Sequence, residues 1–200
     1  MQLTASHSPL ADIVGPREGA GRLVKQVILV LVGIAVLAVA AKTKVFIGTP
    51  VPVTMGTFAV LTIGAAYGAR LGLATIIGYL LIGALGFDVF ASSTAEASGL
   101  TYMMGGTGGY LVGYVLATLT LGVCAERGWD RSVGLMALAM LIGNALIYVP
   151  GLLWLGQLYG WDQPILQWGL TPFLLGDALK LVLAAWLLPL VWKLVGDARK

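Results

Sequence analysis

One cysteine and one histidine are all that this chain of 200 residues has of the residues that build disulfides and zinc sites. Cys124 alone excludes an intrachain disulfide, and with His7 it falls short of any Cys/His zinc set. His7 stands near the start, in a polar stretch, so Ser–His and Cys–His nucleophile pairs are not available within the apolar segments. No G-x-x-x-x-G-K-S/T loop is present. The Gly-rich run 105–109 lacks the following Lys, so the chain does not itself cradle ATP in the usual way. H-E-x-x-H is absent as well. A membrane enzyme is therefore a poor fit, and no cofactor is expected. Cys124 reads as a small buried hydrophobe near Glu126, at the end of a span.

Charge is scarce too. Charged residues make up 10% of the chain and apolar residues 58%. Soluble domains average about 25% and about 45–50%. A soluble domain of this size must cover itself with polar side chains, and this one does not have them. Lipid must wet much of its outside.

What is present is a series of apolar segments. Residues 1–24 are polar and carry Pro9, Gly15, Pro16, Gly19 and Gly21, which reads as a loose cytoplasmic leader. Charge-free residues 26–41 follow and read as a first span. Ala38-Val39-Ala40 could mimic a signal-peptidase site, but the rest of the chain is itself membrane-like, so a span is the simpler reading. Further apolar segments cover 51–67, 71–85, 107–125, 132–155 and 172–193. The second and third are short against the roughly 20 residues that a straight span needs. The tight link Gly68–Arg70 between them reads as a helical hairpin. This predicts an all-α polytopic membrane protein with six transmembrane helices: a membrane domain over 25–195 and a short tail over 196–200.

The basic residues orient it. With the N-terminus inside, inner segments hold Arg17, Arg22, Lys25, Arg70, Arg127, Arg131, Lys193, Arg199 and Lys200, and outer loops hold only Lys42 and Lys44. That bias places both termini in the cytoplasm. Trp154, Trp161 and Trp168 cluster around the last outer loop, 156–170, as an interfacial belt would.

Two features stand out from plain span sequence. Asp177 and Lys180 lie inside the sixth span, three residues apart and so on one helix face. Each charge near the bilayer centre costs about 2.5–3.5 kcal/mol on insertion scales, which makes intramembrane ionisable residues functional candidates. A purely structural ion pair, or a Lys snorkelling to the interface, is the competing reading. The other feature is a pair of irregular outer loops. The first, from Lys42 through Pro50 and Pro52, cannot be a regular helix. The third, 86–106, is rich in Gly, Ser and Thr, and holds Asp88 and Glu96. Irregular backbone at a membrane is tolerated where it lines a cavity, so a pocket open to the outside under loops 1 and 3 is expected. Glycines also recur at a spacing of four, Gly64-Gly68-Gly72 and Gly105-Gly109-Gly113, as close helix packing uses.

Taken in order, Pro50-Val51-Pro52-Val53-Thr54, Gly83 to Phe90, Gly105 to Tyr110, and Gly176-Asp177 with Lys180 resemble the BioY family. That family is the biotin-binding S component of energy-coupling-factor transporters. The likeness covers most of 25–195 and is specific as a set. It departs in places: Gly56 stands where Gln is frequent, and Asp88 stands where Pro is usual. The Ala-xxx-Ala surface often offered to a partner on the first span is not cleanly present.

The resemblance implies biotin uptake through a multi-pass protein of a bacterial inner (cytoplasmic) membrane. It also implies partners: the lipid bilayer, an ATPase pair and a transmembrane coupling subunit, with no nucleic acid. On that reading Asp177 accepts from the urea N–H groups and Lys180 meets the valerate carboxylate. Thr54, Thr107, Gly108, Gly109 and Tyr110 would add hydrogen bonds, and Phe87, Phe90 and Tyr148 would wall the ring. The alternatives are an S component for another vitamin and an ion-coupled carrier or channel. Simple pairing of Asp177 with Lys180 stays open.

Overall fold

The computed structural model describes residues 8–13, 15–45, 51–94 and 97–197. His7, Pro50, Glu96, Arg199 and Lys200, singled out above, lie outside them. The described chain is mostly helical: α1 Gly19–Lys42, α2 Gly56–Ala84, α3 Gly99–Met103, α4 Gly108–Glu126, α5 Val133–Tyr159, α6 Ile165–Gly169 and α7 Thr171–Asp197. Two short strands, β1 Lys44–Val45 and β2 Val53–Thr54, pair antiparallel between α1 and α2. Among the described residues, five helical stretches are long and apolar enough to cross a membrane. Large aliphatic side chains stay exposed along α1 and α7, Leu31, Val32, Leu179 and Leu183 among them. Such surfaces suit hydrocarbon, so the chain is a multi-pass membrane protein.

The helix α2 is not one rod. Gly68 inside it has φ 76° and ψ 176°, far from helical values, and only glycine visits that region at little cost. A Cβ built on Gly72 would lie 3.4 Å from the Gly64 Cα. Eight residues along a straight helix rise about 12 Å, so the chain folds back on itself at Gly68. The Glu126 carboxylate accepts from the Ala69 N–H at 2.9 Å and caps the break. The hairpin expected at Gly68–Arg70 is thus the observed geometry.

Close glycine contacts let the helices meet. A Cβ on Gly122 would sit 2.3 Å from the Ala69 nitrogen, and one on Gly113 2.6 Å from the Ile147 Cα. α4 therefore runs against both α2 and α5 at backbone distance, which small residues permit. At the end away from the strands, the Trp192 indole donates to the buried Asp130 carboxylate. The Arg131 guanidinium lies 4.4 Å from the centroid of the same ring. This fixes the end of α7 to the α4–α5 turn.

Several expected boundaries move. Helix α1 begins at Gly19, inside the stretch read as a loose leader. The segment expected from Val51 starts as strand and becomes helix only at Gly56. Helices α5 and α7 each run about one turn past the expected ends, and the loops 86–106 and 156–170 carry the short helices α3 and α6.

Candidate functional site

The buried charges sit between α2, α5 and α7. Lys180 Nζ donates to Asp177 Oδ1 at 2.9 Å, to the Thr54 carbonyl at 2.7 Å and to Thr57 Oγ1 at 3.2 Å. Those three contacts use all three ammonium donors. Asp177 also accepts from Thr57 Oγ1 at 3.2 Å and from the Tyr148 hydroxyl. Asp177 is buried at 6% exposure, and both side chains are largely shielded. The pair is therefore neutral as a unit and well hydrogen-bonded, which is what makes two charges tolerable there. Thr54 is placed by the turn into α2: its Oγ1 accepts from the Gly56 N–H at 3.0 Å, ahead of the first helical turn.

Above this pair lies a cavity walled by aromatic rings. Five of the seven tyrosines line it: Tyr79, Tyr102, Tyr110, Tyr114 and Tyr148. Phe90 and Phe173 complete the apolar wall, and Thr54, Thr57 and Thr107 add hydroxyls. The rings hold one another. Phe90 stacks on Tyr102 at 4.9 Å and meets Tyr79 edge-on at 5.4 Å. Tyr148 lies 6.2 Å from Tyr110, edge-on, and 6.1 Å from Phe173. The Tyr110 hydroxyl donates to the Gly169 carbonyl at 2.9 Å, tying α4 to α6. Aromatic faces with a few convergent polar groups make a site for a flat, partly polar small molecule.

Two loop segments roof the cavity, and Ala41, Val51, Pro52 and Ala91 line it from that side. Lysines from the α1 end strap the segment 87–94 down. Lys42 donates to the Asp88 carboxylate and to Ser93 Oγ at 3.3 Å, and Lys44 donates to the Ala91 carbonyl at 2.6 Å. From below, the Tyr79 hydroxyl donates to the Val89 carbonyl at 3.1 Å. The Lys42 hydrogen bond, reinforced by the Ser93 hydroxyl, holds the Asp88 carboxyl below its usual range.

The expected site residues divide. Thr54, Thr107, Tyr110, Phe90 and Tyr148 line the cavity. Asp177 and Lys180 do not line it; they stand behind Thr57 and Tyr148 and are engaged with each other. Phe87 is 62% exposed and takes no part in the wall. The chain turns between Phe87 and Phe90, and only the second ring points inward.

Gly108 and Gly109 pack closely against their neighbours. A Cβ on Gly109 would lie 2.3 Å from the Pro150 carbonyl oxygen, and the Gly108 N–H is spent on Gly105 at 3.1 Å. Five aromatic or threonine residues of the wall escaped the sequence reading: Thr57, Tyr79, Tyr102, Tyr114 and Phe173. Only the spacing Tyr110–Tyr114, one turn apart on α4, could have signalled one of them. Gly56 also gains a reason: a Cβ there would lie 2.8 Å from the Tyr114 hydroxyl oxygen. Its lack of a side chain is what lets that tyrosine reach the cavity.

Residues 8–197 match the sequence profile of the BioY family along their whole length. The chain belongs to the BioY family. The probable biotin transporter BioY of Pyrococcus horikoshii is 35% identical over 78% of this chain and 89% of its own. Two other members are similar. The biotin transporter BioY of Thermotoga maritima is 31% identical over 76% of this chain and 86% of its own. The biotin transporter BioY2 of Lactococcus lactis is 34% identical over 78% and 83%. A solved S-component for biotin from an ECF-type ABC transporter superposes with a TM-score of 0.71. That match covers 88% of this chain and 95% of the other at 19% identity, so it speaks for the shared fold. In this BioY member the stretches that carry the family resemblance, far apart in the sequence, bring Thr54, Phe90, Thr107 and Tyr110 to one cavity.

Proposed function

We propose that this chain is the substrate-binding component of a biotin uptake system and takes biotin into the aromatic cavity. One observation carries the reading: a buried carboxylate–ammonium pair stands directly behind that cavity, next to its Thr57 and Tyr148 wall. Biotin has matching chemistry. Its cyclic urea offers two N–H donors to a carboxylate, its sulfur ring is apolar, and its valerate ends in an anion. Asp177 takes the urea and Lys180 the valerate carboxylate. Each must then leave the other, so binding exchanges one internal ion pair for two ligand contacts.

The cavity measures ≈ 50 Å³, whereas small-molecule pockets run to about 300–1,000 Å³. Entry therefore requires the roof of residues 87–94 to lift away from Val51 and Pro52. The strap of Lys42 and Lys44 is the part that yields.

The fold-back at Gly68 divides α2 into arms 56–67 and 69–84, which with α1, α4, α5 and α7 gives six spans. At 1.5 Å per residue the first arm reaches about 18 Å, and the extended roof residues ahead of it cover the shortfall. The basic residues put both termini in the cytoplasm of a bacterial cell and the cavity mouth outside. With no ATP-binding loop in the chain, an ATPase pair and a transmembrane coupling subunit supply the work. The protein moves its ligand rather than transforming it.

The test is retention of labelled biotin by the purified, nucleotide-free protein, with desthiobiotin, thiamine and riboflavin as competitors. Retention displaced by desthiobiotin alone supports the reading. Displacement by another vitamin assigns a different substrate, and no retention refutes it.

A further inference from the structure

Asn144 interrupts a stretch of α5, 133–147, that is otherwise apolar. Its side-chain oxygen is buried and has no hydrogen-bond partner among the described residues. Buried acceptors are nearly always satisfied in native proteins, and in a membrane interior the neighbours offer no other remedy. Four residues on, and so on the same helix face, Tyr148 donates to Asp177. Asn144 also lines a second, smaller cavity, ≈ 10 Å³, together with Thr57, Asp177 and Lys180, closed on the apolar side by Leu61 and Met140. Such a space has room for on the order of one water.

A water there has two donors. One satisfies the Asn144 oxygen, and the other reaches the acceptor atoms of Asp177 or Thr57. The three ammonium hydrogens of Lys180 are already placed on Thr54, Thr57 and Asp177, so Asn144 is coupled to the resting pair only through that water. The coupling matters most when a ligand draws the two charges apart and leaves their inner lone pairs and donors without partners. The geometry points to Asn144 as a positioning residue for the Asp177–Lys180 pair, acting through a water held in the smaller cavity. This rests on the proposed biotin site for its ligand, and on the observed cavity and buried acceptor for its mechanism.

The experiment pairs Asn144→Leu, close in volume and without polar atoms, with Asn144→Ser, which keeps an acceptor and leaves space for water. Two quantities are read on the full chain in detergent: biotin affinity, and Tm in a cycle with Lys180→Met. The expected results are about a fivefold or greater loss of affinity for Asn144→Leu, affinity within about twofold of native for Asn144→Ser, and non-additive Tm changes in the cycle. A packing role alone would not be restored by serine. Native affinity in Asn144→Leu overturns the inference, and so does a loss in Asn144→Ser as large as in Asn144→Leu. Should the native chain bind no biotin, the proposed function fails and the Tm cycle alone decides: additive changes then remove Asn144 from the network.

Discussion

Lys180 and Asp177 face each other across one turn of α7, Nζ to Oδ1 at 2.9 Å, with Thr57 touching both. Neither charge is left alone in the interior of the fold, and that mutual dependence has a measurable consequence. Removing one member strands the other, which costs about 3–5 kcal/mol for a buried pair, whereas replacing both by apolar residues costs far less. Lys180→Met should lower Tm sharply in a detergent melt, and Asp177→Leu/Lys180→Met should recover most of the loss. A double variant as unstable as the sum of the single changes would show that the two do not act as a pair.

Tyr148 is the link between that pair and the cavity. Its hydroxyl donates to Asp177 while its ring forms part of the wall. Tyr148→Phe keeps the ring and removes the donor, and a hydrogen bond to a charged group is worth about 1.5–3 kcal/mol. Biotin binding should weaken by about tenfold with little change in fold, as circular dichroism would register. Unchanged affinity would place the ligand away from this wall.

The roof strap is an exposed ion pair, so its effect should be modest and should depend on solution conditions. The Asp88 carboxyl is held low chiefly by the Lys42 hydrogen bond, then by Ser93. A group whose folded pKa is depressed contributes in full above its ordinary value, here 3.8, and loses that contribution as pH falls below it. At neutral pH, Asp88→Asn should speed biotin dissociation about two- to threefold. The gap from native should narrow in high salt and close as pH drops below 3.8. Dissociation rates identical at neutral pH would remove Lys42–Asp88 as the strap.

Glycines at helix crossings separate packing from ligand contact. A Cβ on Gly109 or Gly113 would strike the backbone of α5, at 2.3 Å from the Pro150 oxygen and 2.6 Å from the Ile147 Cα. Around Gly134 and Gly176 nothing lies within 4 Å of an added Cβ. Alanine at either of the first two should sharply reduce the yield of folded protein on size-exclusion chromatography. Alanine at either of the latter two should leave it unchanged.

The legible part of this protein was the part where lipid imposes a cost. Long charge-free runs announced α1, α4 and α5, and a long apolar run announced α7, because a spanning helix cannot carry many charges. Asp177 and Lys180 were visible for the same reason. Helix ends were less legible: Gln157 and Tyr159 look like loop residues but continue α5. Gly68 was readable as a turn because the short segments on either side needed one. Aromatic and threonine residues carry no penalty in a span, so Thr57, Tyr79, Tyr102 and Tyr114 gave no warning of the wall they build. Within the run 105–109 Thr107 lines the cavity, while the spacing from Gly109 to Gly113 signals contact with α5. Phe87 and Phe90 differ only in which way the loop turns, and that follows from its attachment to Lys42, Lys44 and Tyr79 rather than from local sequence.

Isothermal titration of the purified chain with biotin, beside Asp177→Asn and Lys180→Ala, tests the central claim most directly. The account predicts saturable binding by the native protein without nucleotide and at least about tenfold weaker binding in each variant, the scale expected when a charge-assisted contact is lost. Native binding undiminished in both variants would contradict the assignment of the buried pair to biotin, and absence of binding by the native protein would contradict the function itself.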